Sequence, residues 1–290
     1  MFQGSIVALI TPFRQGKLDE EALLRLVEWH IEQGTHGIVP VGTTGESPTL
    51  THDEHCRVVE LVVKQVAGRI PVIAGAGSNN PVEAIEYTIH AERVGTDATL
   101  HVAGYYNRPN QEGLYHHFKA VHDATAKPII VYNIPPRAIV DVQPATLARL
   151  AELPRIAGVK DATGDLARPW TERQLIKKPF AWLSGEDATA VAYNIGGGQG
   201  CISVTANVAP KLVAEVQNLT LAGKWQEARE LQDRLIPLHQ AMFAEPSPAG
   251  AKYAASLLGF CSEECRLPVM PLSEATRERI RSAMQQLNLL

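Results

Sequence analysis

The chain has 290 residues, 45% hydrophobic and 20% charged, and 27 Lys and Arg against 31 Asp and Glu leave a formal net charge of −4. That composition excludes a largely disordered or collagen-like chain, and the absent basic excess argues against nucleic-acid binding. A chain of this length buries a large core without staples, as two domains or as one α/β barrel.

In chain order, short apolar runs alternate with helical patterns. SIVALITP from Ser5 reads as a strand, and DEEALLRLVEWHIEQG from Asp19 reads as a helix that places Leu23, Leu24, Val27, Trp29 and Ile31 largely on one side and stops at Gly34. A second strand, GIVPVGTT from Gly37, is followed by a T-x-x-E capping box at Thr51 and Glu54 that opens a helix over CRVVELVVKQV. Strands then follow at IPVIAGAG from Ile70, ATLHVAGYY from Ala98, PIIVYNIP from Pro128, IAGVKDAT from Ile156, FAWLSGED from Phe180 and CISVTAN from Cys201. The helices between and after them are predicted at 81–94, 112–124, 144–153, 171–177, 188–195 and 210–221. Runs that are continuously apolar, without alternation, fit parallel strands covered on both faces. Eight such alternations favour a (β/α)8 TIM barrel over 1–223. An open dinucleotide-binding sheet is disfavoured, because GAGSNN from Gly75 lacks the last glycine of G-x-G-x-x-G and GGGQG from Gly196 precedes a strand. From Lys224 the pattern is helical only, so 224–290 is expected to be a C-terminal helical appendage and not an independent domain.

Four cysteines are too few for a disulfide scaffold at this length and point to a reducing compartment. The Cys261/Cys265 pair has no neighbouring His or second pair to complete a zinc site. The N-terminus lacks a basic n-region and a small-residue cleavage site, and no apolar run reaches the roughly 18 residues of a membrane span. A cytoplasmic protein without membrane contact is the expectation.

Active sites of such barrels lie at the C-terminal ends of the strands. Those positions hold Gly42, Thr43, Thr44, Gly45, Glu46 and Ser47 after strand two, Tyr105 and Tyr106 after strand four, Tyr132, Asn133 and Arg137 after strand five, and Lys160 in strand six. The set offers an amine, three phenols, a guanidinium and hydroxyls, with no His, Cys or carboxylate cluster suited to a metal, so no cofactor is expected. Lys160 stands out because it continues the apolar run Ile156-Ala157-Gly158-Val159. An amine there either snorkels out or pairs with Asp161, or else attacks a carbonyl, and position alone leaves these readings open. Imine chemistry needs proton shuttles, for which Tyr132, Tyr106 and Thr43 are candidates. Arg137 could hold a substrate carboxylate, and the amides around Thr43 and Thr44 another. His52 and His55, three apart on a helix, read as a polar face in preference to a metal site. His116 and His117 are adjacent and point to different faces.

These residues resemble the dihydrodipicolinate synthase branch of the pyruvate-dependent Schiff-base aldolases, the N-acetylneuraminate lyase superfamily. The likeness runs from SIVALITPF through VGTTGES, YYNRPNQEGLYHHF, VYNIPPR, GVKDATGD and CISVTANV to RLIPLHQAMFAEPSP, and GTTGE, YNxPxR and GxKxATG are specific in that order. The resemblance implies a pyruvate imine on Lys160 and a proton relay of Tyr132, Thr43 and Tyr106, with Tyr106 entering a neighbouring subunit. It implies that Arg137 binds the carboxylate of L-aspartate 4-semialdehyde, that Thr43 and Thr44 bind that of pyruvate, and that Gly185 and Ile202 line the pyruvate pocket. The implied assembly is a homotetramer built as a dimer of dimers, and the implied product is 4-hydroxy-tetrahydrodipicolinate, toward diaminopimelate and lysine. Positions matching the family's effector site, Ser47, His52, His55, Asn79, Glu83 and Tyr105, imply feedback inhibition by L-lysine.

The sequence departs from the family pattern at Ala103-Gly104, where Thr-Pro is frequent, at Pro48, and at Ala138-Ile139, where Thr-Gly is frequent. Two other readings are a sister aldolase acting on a sugar acid such as N-acetylneuraminate or 2-keto-3-deoxygluconate, and a non-catalytic keto-acid or lysine sensor. Arg137 weighs against the first, because a guanidinium suits a short aldehyde bearing a carboxylate better than a polyhydroxy chain. The complete set of Lys160, Tyr132, Tyr106, Thr43 and Arg137 weighs against the second.

Overall fold

A computed structural model describes residues 2–290. Eight parallel strands, β1 (Gly4–Ala8), β2 (Gly37–Val39), β3 (Ile73–Gly75), β4 (Ala98–Val102), β5 (Ile129–Asn133), β6 (Ile156–Asp161), β7 (Ala181–Ser184) and β8 (Gly200–Ser203), are hydrogen-bonded in the order β2-β1-β8-β7-β6-β5-β4-β3. A parallel bridge between Ile38 and Val72, with the Ile38 N–H donating to the Pro71 carbonyl at 2.9 Å, brings the two outer strands together. The result is the (β/α)8 barrel expected from the eight apolar runs, each of which supplies one strand.

The register explains why the runs are continuously apolar. Alternate residues point into the lumen, where Ile6, Ala8, Ile73, Leu100, Ile130, Tyr132, Leu183 and Ile202 form one cluster. Their neighbours Val131, Val159 and Trp182 point outward and pack with Phe118 and Leu147 from the helices. A strand between a filled lumen and a helical shell has no wet face.

The helices follow their capping signals. The Asp19 side chain accepts the Ala22 N–H at the start of the Glu20–Glu32 helix, and Thr51 and Glu54 form both bonds of the capping box of His52–Val66. In the first helix the deeply buried stripe is Leu23, Leu26, Val27 and His30, at helical spacing, whereas Leu24, Trp29 and Ile31 flank it half-buried. The 171–177 pattern shifts to Arg168–Leu175, with Pro169 in its first turn, where a missing N–H costs no helical bond. The 188–195 pattern divides into a 3-10 turn, Asp187–Thr189, and a short helix, Ala190–Ile195. An antiparallel hairpin pairing Phe13–Arg14 with Lys17–Leu18 is too short for any periodicity to announce.

Beyond the barrel come the helices Trp225–Met242, Ala249–Leu257 and Glu274–Gln286. Leu235, Leu238, Met242 and Ile280 of these helices share one apolar cluster with Val7, Leu9, Val208 and Val213. Among the described residues no helix is long and apolar enough to cross a membrane.

Candidate active site

Lys160 lies opposite Tyr132 on β5 and Leu183 on β7 in the strand register. Both partners belong to the lumen cluster, so the lysine side chain also enters the lumen, where it is 6% exposed. Its Nζ sits 4.1 Å from the centroid of the Tyr132 ring, a cation–π distance. Gly185 makes room for its stem: a Cβ there would come within 3.1 Å of Lys160 Cε. Asp161 faces the other way; its Oδ1 accepts the Thr163 N–H at 2.8 Å, and its Oδ2 has no hydrogen-bond partner. Burial pushes the Asp161 carboxyl up from its ordinary value. The pairing of Lys160 with Asp161 left open by the sequence is therefore not formed. Burial raises the Glu186 carboxyl, the Ala188 N–H opposes that shift, and the Asp187 and Lys160 charges act on it in opposite directions.

The Gly42–Ser47 segment folds as a tight turn. The Gly45 N–H donates to the Gly42 carbonyl at 3.0 Å, and the Glu46 N–H to the Thr43 carbonyl at 3.1 Å. Thr44 is buried at 5% exposure and Thr43 is half-buried. Non-glycine residues in the left-handed region gather here: Val41 (φ 47°) and Glu46 (φ 57°) flank the turn, while Tyr106 (φ 63°), Arg108 (φ 50°) and Ile139 (φ 64°) stand on the loops after β4 and β5. Such strain persists only where the surroundings over-determine it, and it concentrates at functional sites. At Ile139 a β-branched residue takes this conformation, which is the local consequence of the Ala138-Ile139 departure.

Arg137 is carried by a four-residue helix, Pro135–Ala138, directly after β5, and is solvent-exposed. The loop behind it is tied back by Asn133, whose Nδ2 donates to Asp141 Oδ1 at 2.8 Å and whose Oδ1 accepts the Val142 N–H at 3.0 Å. Arg168 pairs with Asp141 and donates to the Val142 carbonyl. These bonds fix the path of the backbone that follows the Arg137 helix.

A cavity of about 340 Å³ opens at this end of the barrel. Thr43, Ser47, Glu83, Tyr105, Tyr132 and Arg137 all line it. Lys160, Gly185 and Ile202 do not line it; Lys160 reaches it across the Tyr132 ring. Tyr106 is apart from Tyr132 and Thr43, 89% exposed on its loop. His55 is buried beneath Tyr87, with ring centroids 3.8 Å apart, and burial holds its imidazole down at about 3. His52 stacks on the same phenol at 5.2 Å. The Asn79 carbonyl accepts Asn107 Nδ2 at 2.8 Å and so ties the loop carrying Tyr105 and Tyr106 to the end of β3.

Tyr87 is a cavity residue that sequence reasoning missed, because a tyrosine in a helical pattern carries no mark of facing a pocket. Burial, then the Glu83 charge, pushes its phenol up to about 12. Glu46 was visible only as part of the turn, and Asp141 not at all. All four cysteines are free, and burial raises the thiols of Cys261 and Cys265 to about 11 and about 12. Among the described residues no three His, Cys, Asp or Glu side chains converge to hold a metal ion.

The profile of the dihydrodipicolinate synthetase family matches residues 1–287. A 4-hydroxy-tetrahydrodipicolinate synthase from Parvibaculum lavamentivorans is 61% identical over 290 residues, the whole of both chains. A dihydrodipicolinate synthase from Acinetobacter baumannii, solved in complex with pyruvate, superimposes with a TM-score of 0.97 at 45% identity over all of both chains. Another, from Cyanidioschyzon merolae with lysine bound, gives a TM-score of 0.97 at 36% identity and covers 100% of this chain and 99% of its own. The chain belongs to the dihydrodipicolinate synthetase family.

Proposed function

We propose that the protein condenses pyruvate with L-aspartate 4-semialdehyde to 4-hydroxy-tetrahydrodipicolinate through an imine on Lys160. The observation that carries this reading is the lysine itself: buried in the lumen, facing a tyrosine, and unpaired with the carboxylate next to it. Lys160 Nζ attacks the keto carbon of pyruvate, and loss of water leaves the imine. The imine withdraws electrons from the methyl carbon, which gives up a proton to become an enamine, and the enamine carbon attacks the aldehyde. The amine of the semialdehyde then displaces Lys160 from the imine carbon and closes the ring.

In this reading Tyr132 and Thr43 move protons between imine and solvent. Tyr106, exposed on a strained loop, completes the relay in a neighbouring subunit of a homotetramer built as a dimer of dimers. The amides and hydroxyls of Thr43 and Thr44 receive the pyruvate carboxylate, with Gly185 and Ile202 shaping the pocket. Arg137 receives the carboxylate of the semialdehyde. Such an enzyme works in the cytoplasm, toward diaminopimelate and lysine, and the four free thiols accord with a reducing compartment.

Pyruvate consumption that depends on aspartate semialdehyde tests the reaction. Arg137→Ala should raise the KM for the semialdehyde roughly 10- to 100-fold, the worth of a charge-assisted bidentate pair, and leave the KM for pyruvate unchanged. A sugar-acid aldolase would show neither behaviour. The part of the cavity wall formed by Ser47, Glu83 and Tyr105, with His52 and His55 stacked on the lining Tyr87 and Asn79 tied to the loop that carries Tyr105, we assign to L-lysine. Titration with millimolar L-lysine should depress the rate, and an unchanged rate would remove that assignment.

A further inference from the structure

We propose that Glu46 and Lys252 form a buried clamp through which the C-terminal helices hold the Thr43–Thr44 turn in the shape that receives the pyruvate carboxylate. The inference rests on the reading of the site given above and names two positioning residues for it. Glu46 closes the turn, its N–H bonded to the Thr43 carbonyl at 3.1 Å and its own carbonyl accepting Thr49 Oγ1 at 3.1 Å. Its carboxylate points away from the cavity, into the protein, and the residue is 4% exposed. There Oε1 lies 2.5 Å from Lys252 Nζ, and Oε2 accepts the Arg266 N–H at 2.8 Å.

Lys252 belongs to the Ala249–Leu257 helix and is fully buried. Its Nζ also donates to the Glu264 carbonyl at 2.7 Å and stands 4.1 Å from the centre of the Phe13 ring. The Arg266 guanidinium lies 4.3 Å from that ring centre. It donates to the Thr49 carbonyl at 2.8 Å and to both oxygens of Glu54, at 2.6 Å each. The turn is thus gripped at Glu46 and at Thr49 by groups from the far end of the chain.

Stability alone does not account for this arrangement. A buried ion pair roughly breaks even against an apolar pair of the same volume. A glycine would take the φ of 57° at position 46 without strain. A carboxylate at that position, held on two sides, fixes the direction of the Thr43 and Thr44 amides, and that direction is what carboxylate binding needs.

Steady-state kinetics of Glu46→Gln, Lys252→Met and the double variant test the clamp. Each should raise the KM for pyruvate roughly tenfold, since a misplacement of about an ångström costs one to two orders of magnitude. The KM for aspartate semialdehyde should stay within about twofold, whereas kcat should fall together with the rise in pyruvate KM, because the displaced turn also carries Thr43 of the proton relay. The single variants strand a buried charge and should lower Tm, whereas the double variant removes both charges and should recover much of the loss. The double variant therefore decides the matter if a single one fails to fold. A normal pyruvate KM in the folded variants, with only Tm or kcat reduced, would make the pair a plain structural staple and overturn the proposal. Wild-type enzyme treated with pyruvate and borohydride runs alongside: no adduct there would refute the imine reading, while an adduct with an unmoved KM in the variants would refute the clamp alone.

Discussion

Lys160→Ala should lower kcat by on the order of 10⁴-fold or more, the scale seen when a covalent nucleophile is deleted from an otherwise intact site. The fold should survive the change. Lys160 makes no ion pair with Asp161, and the space it vacates lies beside Gly185 and Tyr132. A circular dichroism spectrum and Tm near those of the wild type, together with lost turnover, would separate chemistry from folding. A variant with substantial remaining turnover would show that the reaction does not pass through this amine.

The second large effect is expected in acid. His30, His55 and His101 are buried, and loss of hydration holds each imidazole down at about 3 against an ordinary 6.5. These side chains are neutral in the fold and take up a proton in the unfolded chain, so the stability they contribute is complete above pH 6.5 and drains away as pH falls toward 3. Each contributes a slope of about 1.4 kcal/mol per pH unit in that window. Glu172 opposes them. Burial, reinforced by the Asp161 charge, raises its carboxyl to about 8 from 4.5, so it loses its penalty between pH 8 and 4.5. His36, His117 and His239 shift with the three histidines, and Asp161 and Glu186 shift with Glu172. The net of the four strongly shifted groups is a loss of about 3 kcal/mol per pH unit between pH 6.5 and 4.5. Denaturant unfolding at pH 7 and pH 5.5 checks this; equal stabilities at the two pH values would show that the buried imidazoles are protonated in the fold or reached by solvent.

The parts of the molecule that were legible in the sequence are those written locally. Eight apolar runs became eight strands because a barrel strand is covered on both sides, and T-x-x-E became a capping box because its two bonds span three residues. The same continuity concealed which face of each strand is the lumen. Lys160 stood out on β6, but its position alone left open whether it pairs with Asp161; the register with Tyr132 and Leu183 is what puts it in the lumen. Arg137, Thr43 and Tyr132 were legible because they follow strand ends, where this architecture puts its chemistry. The positions proposed for L-lysine were visible only through resemblance, and the structure separates them: Ser47, Glu83 and Tyr105 reach the cavity, whereas His55 lies under Tyr87. The Glu46 clamp was out of reach because its partners lie far along the chain; Arg266 meets it from 220 residues away. No local pattern reports a contact of that span. The short hairpin at Phe13–Leu18 escaped for the opposite reason, being two residues per strand.

The claim on which the whole account depends is that pyruvate becomes an imine on Lys160. Incubation of the protein with pyruvate and sodium borohydride, followed by intact mass measurement and peptide mapping, tests it most directly. One reduced pyruvate adduct per chain is expected, on the peptide containing Lys160, and none on the Lys160→Ala variant. An adduct on another lysine, or no adduct while the enzyme still consumes pyruvate with aspartate semialdehyde, would contradict it.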